Sequence, residues 1–178
     1  MVKVEFILGV AQSIVHTINI SEYQHVQEQV SEIIIALESM KALLTKAEVN
    51  AAIDQFGLMR PEVEPLKVAI SYFPKVYPRL VEIIQLLGSS GIVMLPGEED
   101  FASEIRGDLH QYLQSATKNA AHRVKLFRLA WDLTMSAFGT RQTQYERFFF
   151  GNPVRLTTDL YWNYDKIQVP VTFAQGKK

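Results

Sequence analysis

The sequence predicts an all-α protein, an antiparallel four-helix bundle with extra short helices and a C-terminal tail. Three observations predict it. Apolar residues recur at helical spacing over long stretches, as in Val26, Val30, Ile33, Ile34, Leu37, Met40, Leu44 and Ala47. Strand-like alternation is almost absent. The first link between stripes is short, which sets successive helices antiparallel. With 178 residues, 48% of them hydrophobic, the chain has the size of one domain and can bury a sizeable core. No internal repeat or domain boundary interrupts it, so residues 1–178 read as a single helical domain.

Val4, Leu8, Ala11, Val15 and Ile18 place a first helix over residues 2–18. After Asn19-Ile20, Ser21 and Gln24 have capping-box spacing, and the stripe from Val26 carries a second helix to near Ile53. Residues 54–65, with Gly57, Pro61 and Pro65, read as a loop. Residues 66–72 read as helical. Pro74 and Pro78 interrupt that helix, because proline lacks an N–H and clashes with the preceding turn. Pro78 then opens a helix through Leu80, Val81, Ile84 and Leu87 to Gly88. Gly88-Ser89-Ser90-Gly91 is a loop, Ile92 to Pro96 a short apolar extension, and Pro96-Gly97 a turn. A short helix is expected over residues 98–104. Asp108 is placed to cap a long helix from Leu109 to Phe138 that breaks at Gly139 and restarts at once, running from Arg141 to Phe150. Gly151-Asn152-Pro153 ends it, a further helix covers residues 154–163, and the tail from Asp165 to Lys178 is expected to be loose or docked on a neighbour.

Composition excludes several functions. The net charge is −1 with no basic block, which argues against nucleic acid. The chain has no cysteine, so it offers no disulfide, thiolate metal ligand or cysteine nucleophile, and this is compatible with a cytoplasmic location. The run Ile33-Ile34-Ile35-Ala36-Leu37 is far shorter than the roughly 20 apolar residues that span a bilayer, so no membrane association is expected. The first residues lack the features of a signal peptide. They enter a helical pattern directly, so we expect the chain to be part of a larger architecture.

Catalytic groups are scarce. His16, His25, His110 and His122 share no metal-ligand spacing, and Ser89 and Ser90 have no base nearby in sequence. Two features suit binding. A helix restarting at Gly139 would present Thr140, Arg141 and Gln142 with unpaired N–H groups and a positive helix end, a setting for an anion. Gln85 precedes the Gly88–Gly91 loop by one turn, and such a loop admits close approach of a phosphate or ring edge, although a plain helix C-cap is the favoured reading of the loop taken alone.

Several blocks together resemble the C-terminal domain of the 4-hydroxyphenylacetate 3-monooxygenase family, its pyoverdin-chromophore relatives included. They are Phe73-Pro74-Lys75-Val76-Tyr77-Pro78-Arg79, Gln85 through Pro96, Asp100-Phe101-Ala102-Ser103, Leu126 through Leu133, Phe138-Gly139-Thr140-Arg141-Gln142, Tyr145-Glu146-Arg147-Phe148-Phe149 and Gly151-Asn152-Pro153. The resemblance implies a fold similar to the C-terminal bundle of acyl-CoA dehydrogenases. Tyr23-Gln24-His25-Val26-Gln27 resembles a helix start in that superfamily. Gly139-Thr140 resembles its Glu-Gly-Thr corner, with Phe138 in place of the acid. It further implies that Gln85, Gly88, Ser89, Ser90, Gly91, Thr140, Arg141 and Gln142 line an FAD site, with Tyr23, Gln24 and Gln27 as weaker candidates.

The activity implied is two-component hydroxylation of a phenol, with reduced FAD supplied by a separate flavin reductase. Phenol-binding residues would belong to N-terminal and β-barrel domains, carried elsewhere or on a companion chain. The chain alone is expected to be inactive, to hold no metal, and to form a homo-oligomer. Two other readings stay open at this level: a part of a 4-hydroxybutyryl-CoA dehydratase-like enzyme, and a helical assembly domain without cofactor.

Overall fold

A computed structural model describes residues 1–166. The helices are α1 (Val2–Ile18), α2 (Gln24–Val49), α3 (Val63–Gly88), α4 (Arg106–Tyr112), α5 (Ala120–Thr134), α6 (Ala137–Phe148) and α7 (Pro153–Asn163). Strands β1 (Ala52–Ile53) and β2 (Met59–Arg60) form a small antiparallel hairpin. Single 3-10 turns cover Ser89–Ile92 and Glu99–Ala102. The four-helix bundle is present. Its long members are α1, α2 and α3, and the fourth is built from α5 and α6 in succession. Most of the expected tail lies outside the described residues.

The bundle alternates in direction. Arg79 of α3 meets Glu32 of α2, while Glu62 just before α3 donates its N–H to the Ala47 carbonyl, so these two helices run antiparallel. Thr117, ahead of α5, donates to the His16 carbonyl at one end of α1, while Glu146 of α6 binds Lys3 at the other. The α5–α6 pair therefore descends along α1. The core collects Ile7, Ile14, Ile33, Tyr77, Leu80, Ile83, Ile84, Ile92 and Phe127, all almost fully buried.

Helix α3 corrects the expected interruption: it runs unbroken through Pro74 and Pro78. Each proline costs about 3 kcal/mol in a helix interior. Full burial of a large apolar side chain contributes about 1.5–3 kcal/mol. Tyr77, Leu80, Ile83, Ile84 and Leu87 are all buried on this one helix, and packing against the surrounding helices outweighs the two missing N–H groups.

Other corrections are local. Ser21 is not a cap: Tyr23 is the N-cap of α2, and the Ser21 carbonyl instead accepts from Gln27 Nε2 at 2.9 Å. Helix α2 stops at Val49, short of Ile53, and the hairpin follows, its turn held by the Asp54 carboxylate accepting from the N–H groups of Phe56 and Leu58. Asp108 lies inside α4 and caps nothing. The long helix expected from Leu109 to Phe138 is broken at residues 113–119. There Ser115 pairs with the Lys118 backbone in both directions, and Asn119 accepts from the His122 N–H at 2.9 Å as the true cap of α5. Short polar side chains that bond the backbone locally compete with helix continuation in this way.

One ion cluster ties α2 to α3. Arg79 donates from Nε and Nη2 to both oxygens of Glu32 at 2.8 and 2.7 Å, and from Nη1 to Glu82 at 2.8 Å. The hydrogen bonds from Arg79 hold the Glu32 carboxyl below its ordinary value of 4.5. A carboxylate with a lowered folded-state value stabilises above its unfolded value and loses that contribution as pH falls through the folded one. Both side chains are about 40% exposed, so solvent screening keeps the contribution under about 1 kcal/mol. Glu32→Gln is expected to lower stability by up to that amount at pH 7 and by progressively less as pH falls below 4.5, as read by urea unfolding across that range.

Candidate functional site

The two stretches singled out in the sequence meet at one end of the bundle. Gln85, one turn before the end of α3, donates from Nε2 to the Thr134 carbonyl at the end of α5, at 3.3 Å. This side chain bridges the helix that leads into the Gly/Ser loop and the turn that leads into α6.

The corner is built differently from the sequence expectation. The break falls at Met135-Ser136, three residues before Gly139. The Ser136 hydroxyl donates to the Asp132 carbonyl at 2.7 Å and accepts from the Gly139 N–H at 3.0 Å, closing α5 and opening α6 with one group. Ser136 was legible as a helix cap by residue type, but the continuous apolar pattern hid it. The Thr140 N–H bonds the Ser136 carbonyl at 3.0 Å, and its hydroxyl donates to the same oxygen at 2.9 Å. The unpaired-amide reading of Thr140 is therefore corrected: that group lies inside the first turn of α6.

Gly139 has a different task. A Cβ there would lie 2.6 Å from the Asp132 oxygen and from the Leu133 carbonyl carbon and oxygen. It lets the first turn of α6 press onto the end of α5. Arg141 is exposed and joins no ion pair among the described residues. Gln142 turns away from the corner and donates to Glu146 at 2.6 Å.

At the loop, Gly88 is buried and Ser89 and Ser90 are exposed. Ser89 adopts a positive φ of 48°, and its N–H closes α3 on the Gln85 carbonyl. The turn packs tightly from below. A Cβ on Gly88 would meet Ile92 at 2.5 Å, and one on Gly91 would meet the Phe127 ring at 2.8 Å. The Gly/Ser composition thus serves close packing as well as access. Tyr23, Gln24 and Gln27 sit at the start of α2 with exposed side chains; Gln24 bonds Glu28 and Gln27 bonds the Ser21 carbonyl.

Around the corner, Leu86, Trp131, Met135 and Phe138 expose much of their surface. Amide and hydroxyl groups beside exposed apolar side chains suit a planar ring with polar edges, and Arg141 adds an uncompensated positive charge. That donor set fits a flavin.

Away from the corner, Glu146 is 3% exposed and accepts from both Lys3 and Gln142. It neighbours the buried Tyr77, whose hydroxyl is pushed up to about 12 by burial first and by the Glu146 charge second. The group ties α6 to α1 and α3. Among the described residues no helix is long and apolar enough to cross a membrane.

The architecture is an antiparallel helix bundle with a Gly/Ser loop and a capped corner at one end, the class of fold expected of a C-terminal oxygenase bundle. The chain belongs to the 4-hydroxyphenylacetate 3-hydroxylase C-terminal family, whose model matches residues 1–171. It is 61% identical over 166 residues to a probable 4-hydroxyphenylacetate 3-monooxygenase of Bacillus subtilis, covering 93% of this chain and 34% of that protein. A crystal structure of the oxygenase component of 4-hydroxyphenylacetate 3-monooxygenase, complexed with FAD and 4-hydroxyphenylacetate, superposes with a TM-score of 0.90 at 46% identity, covering 93% of this chain and 35% of that one. An archaeal 4-hydroxybutyryl-CoA dehydratase from N. maritimus shares the fold alone, with a TM-score of 0.80 at 16% identity over 89% of this chain and 32% of that one. The chain spans about a third of the length of these relatives.

Proposed function

We propose that this chain is the FAD-contacting and oligomerising C-terminal bundle of a two-component, flavin-dependent 4-hydroxyphenylacetate-type 3-monooxygenase, and that it works as one part of a larger oxygenase. The observation that carries the reading is the Gln85–Thr134 hydrogen bond, which joins the Gly/Ser loop side and the α5–α6 corner into one surface. The solved relative with FAD supports the cofactor.

Reduced FAD, delivered by a separate reductase, supplies the oxygen-activating chemistry when bound. The residues of this chain bind and orient. Gln85 and the Ser89 and Ser90 hydroxyls hydrogen-bond the polar edge of the ring system. Gly88 and Gly91 hold the loop close to the core, and Thr140 pins the corner. Arg141 offers positive charge to the anionic part of the cofactor, and Gln142 anchors α6 through Glu146. Trp131, Met135 and Phe138 keep water away. None of these groups reacts, so the chain by itself hydroxylates nothing. The phenol site comes from N-terminal and β-barrel domains, in this polypeptide or in a companion chain. Exposed Phe148, Phe149, Phe150, Tyr161 and Trp162 support a homo-oligomeric assembly, and the whole acts in the cytoplasm.

Hydrogen exchange of the assembled oxygenase tests this. Reduced FAD is expected to protect residues 131–142, and Gln85→Ala to weaken FAD about tenfold, the size of one lost hydrogen bond. Unchanged exchange at residues 131–142 with FAD bound elsewhere would leave the cofactor-free assembly reading.

A further inference from the structure

An open cleft of about 700 Å3 lies between α5 and the segment from Pro96 through α4, and none of the residues assigned above to the flavin lines it. Its walls carry Arg106 and His110 from α4 and His122, Lys125 and Arg128 from α5. Only Glu98 opposes them among the lining side chains. Arg106, Lys125 and Arg128 join no ion pair among the described residues. Three fixed positive charges face Glu98 and the Asp100 carboxylate that is held on Gly97, which leaves the cleft at about +1, in a chain whose net charge is −1.

The cleft is also held in shape. Arg128 donates to the carbonyls of Pro96 at 2.8 Å and Leu95 at 3.0 Å, fixing the far wall to α5. The Asp100 carboxylate accepts from the Gly97 N–H at 2.6 Å. Phe101 and His110, both lining residues, hold their rings edge to face with centroids 5.6 Å apart.

We propose that this cleft binds a phosphate-bearing aromatic ligand, an ADP-like group, through Arg106 and Lys125 on the phosphates and Phe101 against the base. Two cations on facing walls, Arg106 and Lys125, neither in an ion pair among the described residues, suit the several oxygens of a diphosphate, and arginine presents paired N–H donors to phosphate. The volume falls within the range of small-molecule sites. The inference does not rest on the flavin reading. An ADP-like group occurs in free nucleotides and within FAD, and the experiment separates these sources.

The purified protein, with its companion domains where they exist, is titrated with ADP, pyrophosphate, riboflavin and FAD by calorimetry, with the His110 and His122 ring signals followed by NMR. ADP is expected to bind and shift both imidazoles, and the double variant R106Q/K125Q to lose at least tenfold in ADP affinity while riboflavin binding is unchanged. Both positions are exposed, and an unchanged melting temperature shows that the variant is folded. Competition between ADP and FAD identifies the cofactor as the source, and independent binding identifies a free nucleotide. The proposal is overturned if ADP neither gives heat nor moves either histidine, or if R106Q/K125Q binds it as the parent does.

Discussion

Phe127→Ala is expected to lower the stability of this chain by about 3–5 kcal/mol, the range for deleting a buried aromatic ring. Phe127 is 1% exposed and belongs to the central core. Its ring edge lies where any Cβ on Gly91 would fall, and the Arg123 guanidinium stacks over it at 5.2 Å. Removing the ring therefore empties the core and takes away the floor of the Gly/Ser loop. Urea unfolding reads the first effect, and faster hydrogen exchange at residues 88–92 reads the second. A loss below about 1 kcal/mol would mean that the ring is not the support described.

Gly139→Ala is expected to destabilise by about 3 kcal/mol, the upper part of the range for overpacking. This sign runs against helix propensity, since replacing glycine by alanine within a helix ordinarily gains up to about 1 kcal/mol. Gly9, inside α1, makes the control: a Cβ added there would meet nothing within 4 Å, so Gly9→Ala should show that gain. At Gly139 the obstruction is backbone of α5, which cannot move aside as a flexible side chain would. Thermal unfolding of the two variants, shifted in opposite directions, checks the argument. If Gly139→Ala also stabilises, the close approach of α6 to α5 is wrong.

The legible parts of the fold were those whose signal is periodic. Helices α1 and α2 stand within a few residues of their sequence reading because their apolar stripes repeat over many turns. The last helix, expected over residues 154–163, stands at Pro153–Asn163, with Pro153 at its first position and Asn152 accepting from the N–H groups of Val154 and Arg155 as its cap. The hairpin was not legible: two-residue strands carry no period, and the turn is set by a single aspartate side chain. Nor was the gap between α4 and α5, because Leu113, Ala116 and Ala120 continue the helical spacing across residues that are not helical. There Ser115, Thr117 and Asn119 bond backbone groups, and Thr117 reaches α1 about a hundred residues away, which local pattern cannot reveal.

At the candidate site the same division holds. Residue types marked two separate features, the Gln85 to Gly91 loop and the Thr140 to Gln142 corner, and only the family resemblance joined Gln85, Gly88, Ser89, Ser90, Gly91, Thr140, Arg141 and Gln142 into one expected group. The blocks that contain them resemble a family, and the family model that matches residues 1–171 shows the membership. The chain by itself also determined the all-helical class, because helix periodicity is a local property of the residues. Tertiary structure decided the rest. Burial of five large side chains carried α3 through two prolines; a single serine hydroxyl moved the corner from Gly139 to Ser136; and the arrival of Gln85 at Thr134 made one surface of two distant segments. Each outcome depends on which groups meet across the bundle. Packing and hydrogen bonding between remote residues have no signature in local sequence, and at these three places their energies exceed or redirect what local propensity prefers.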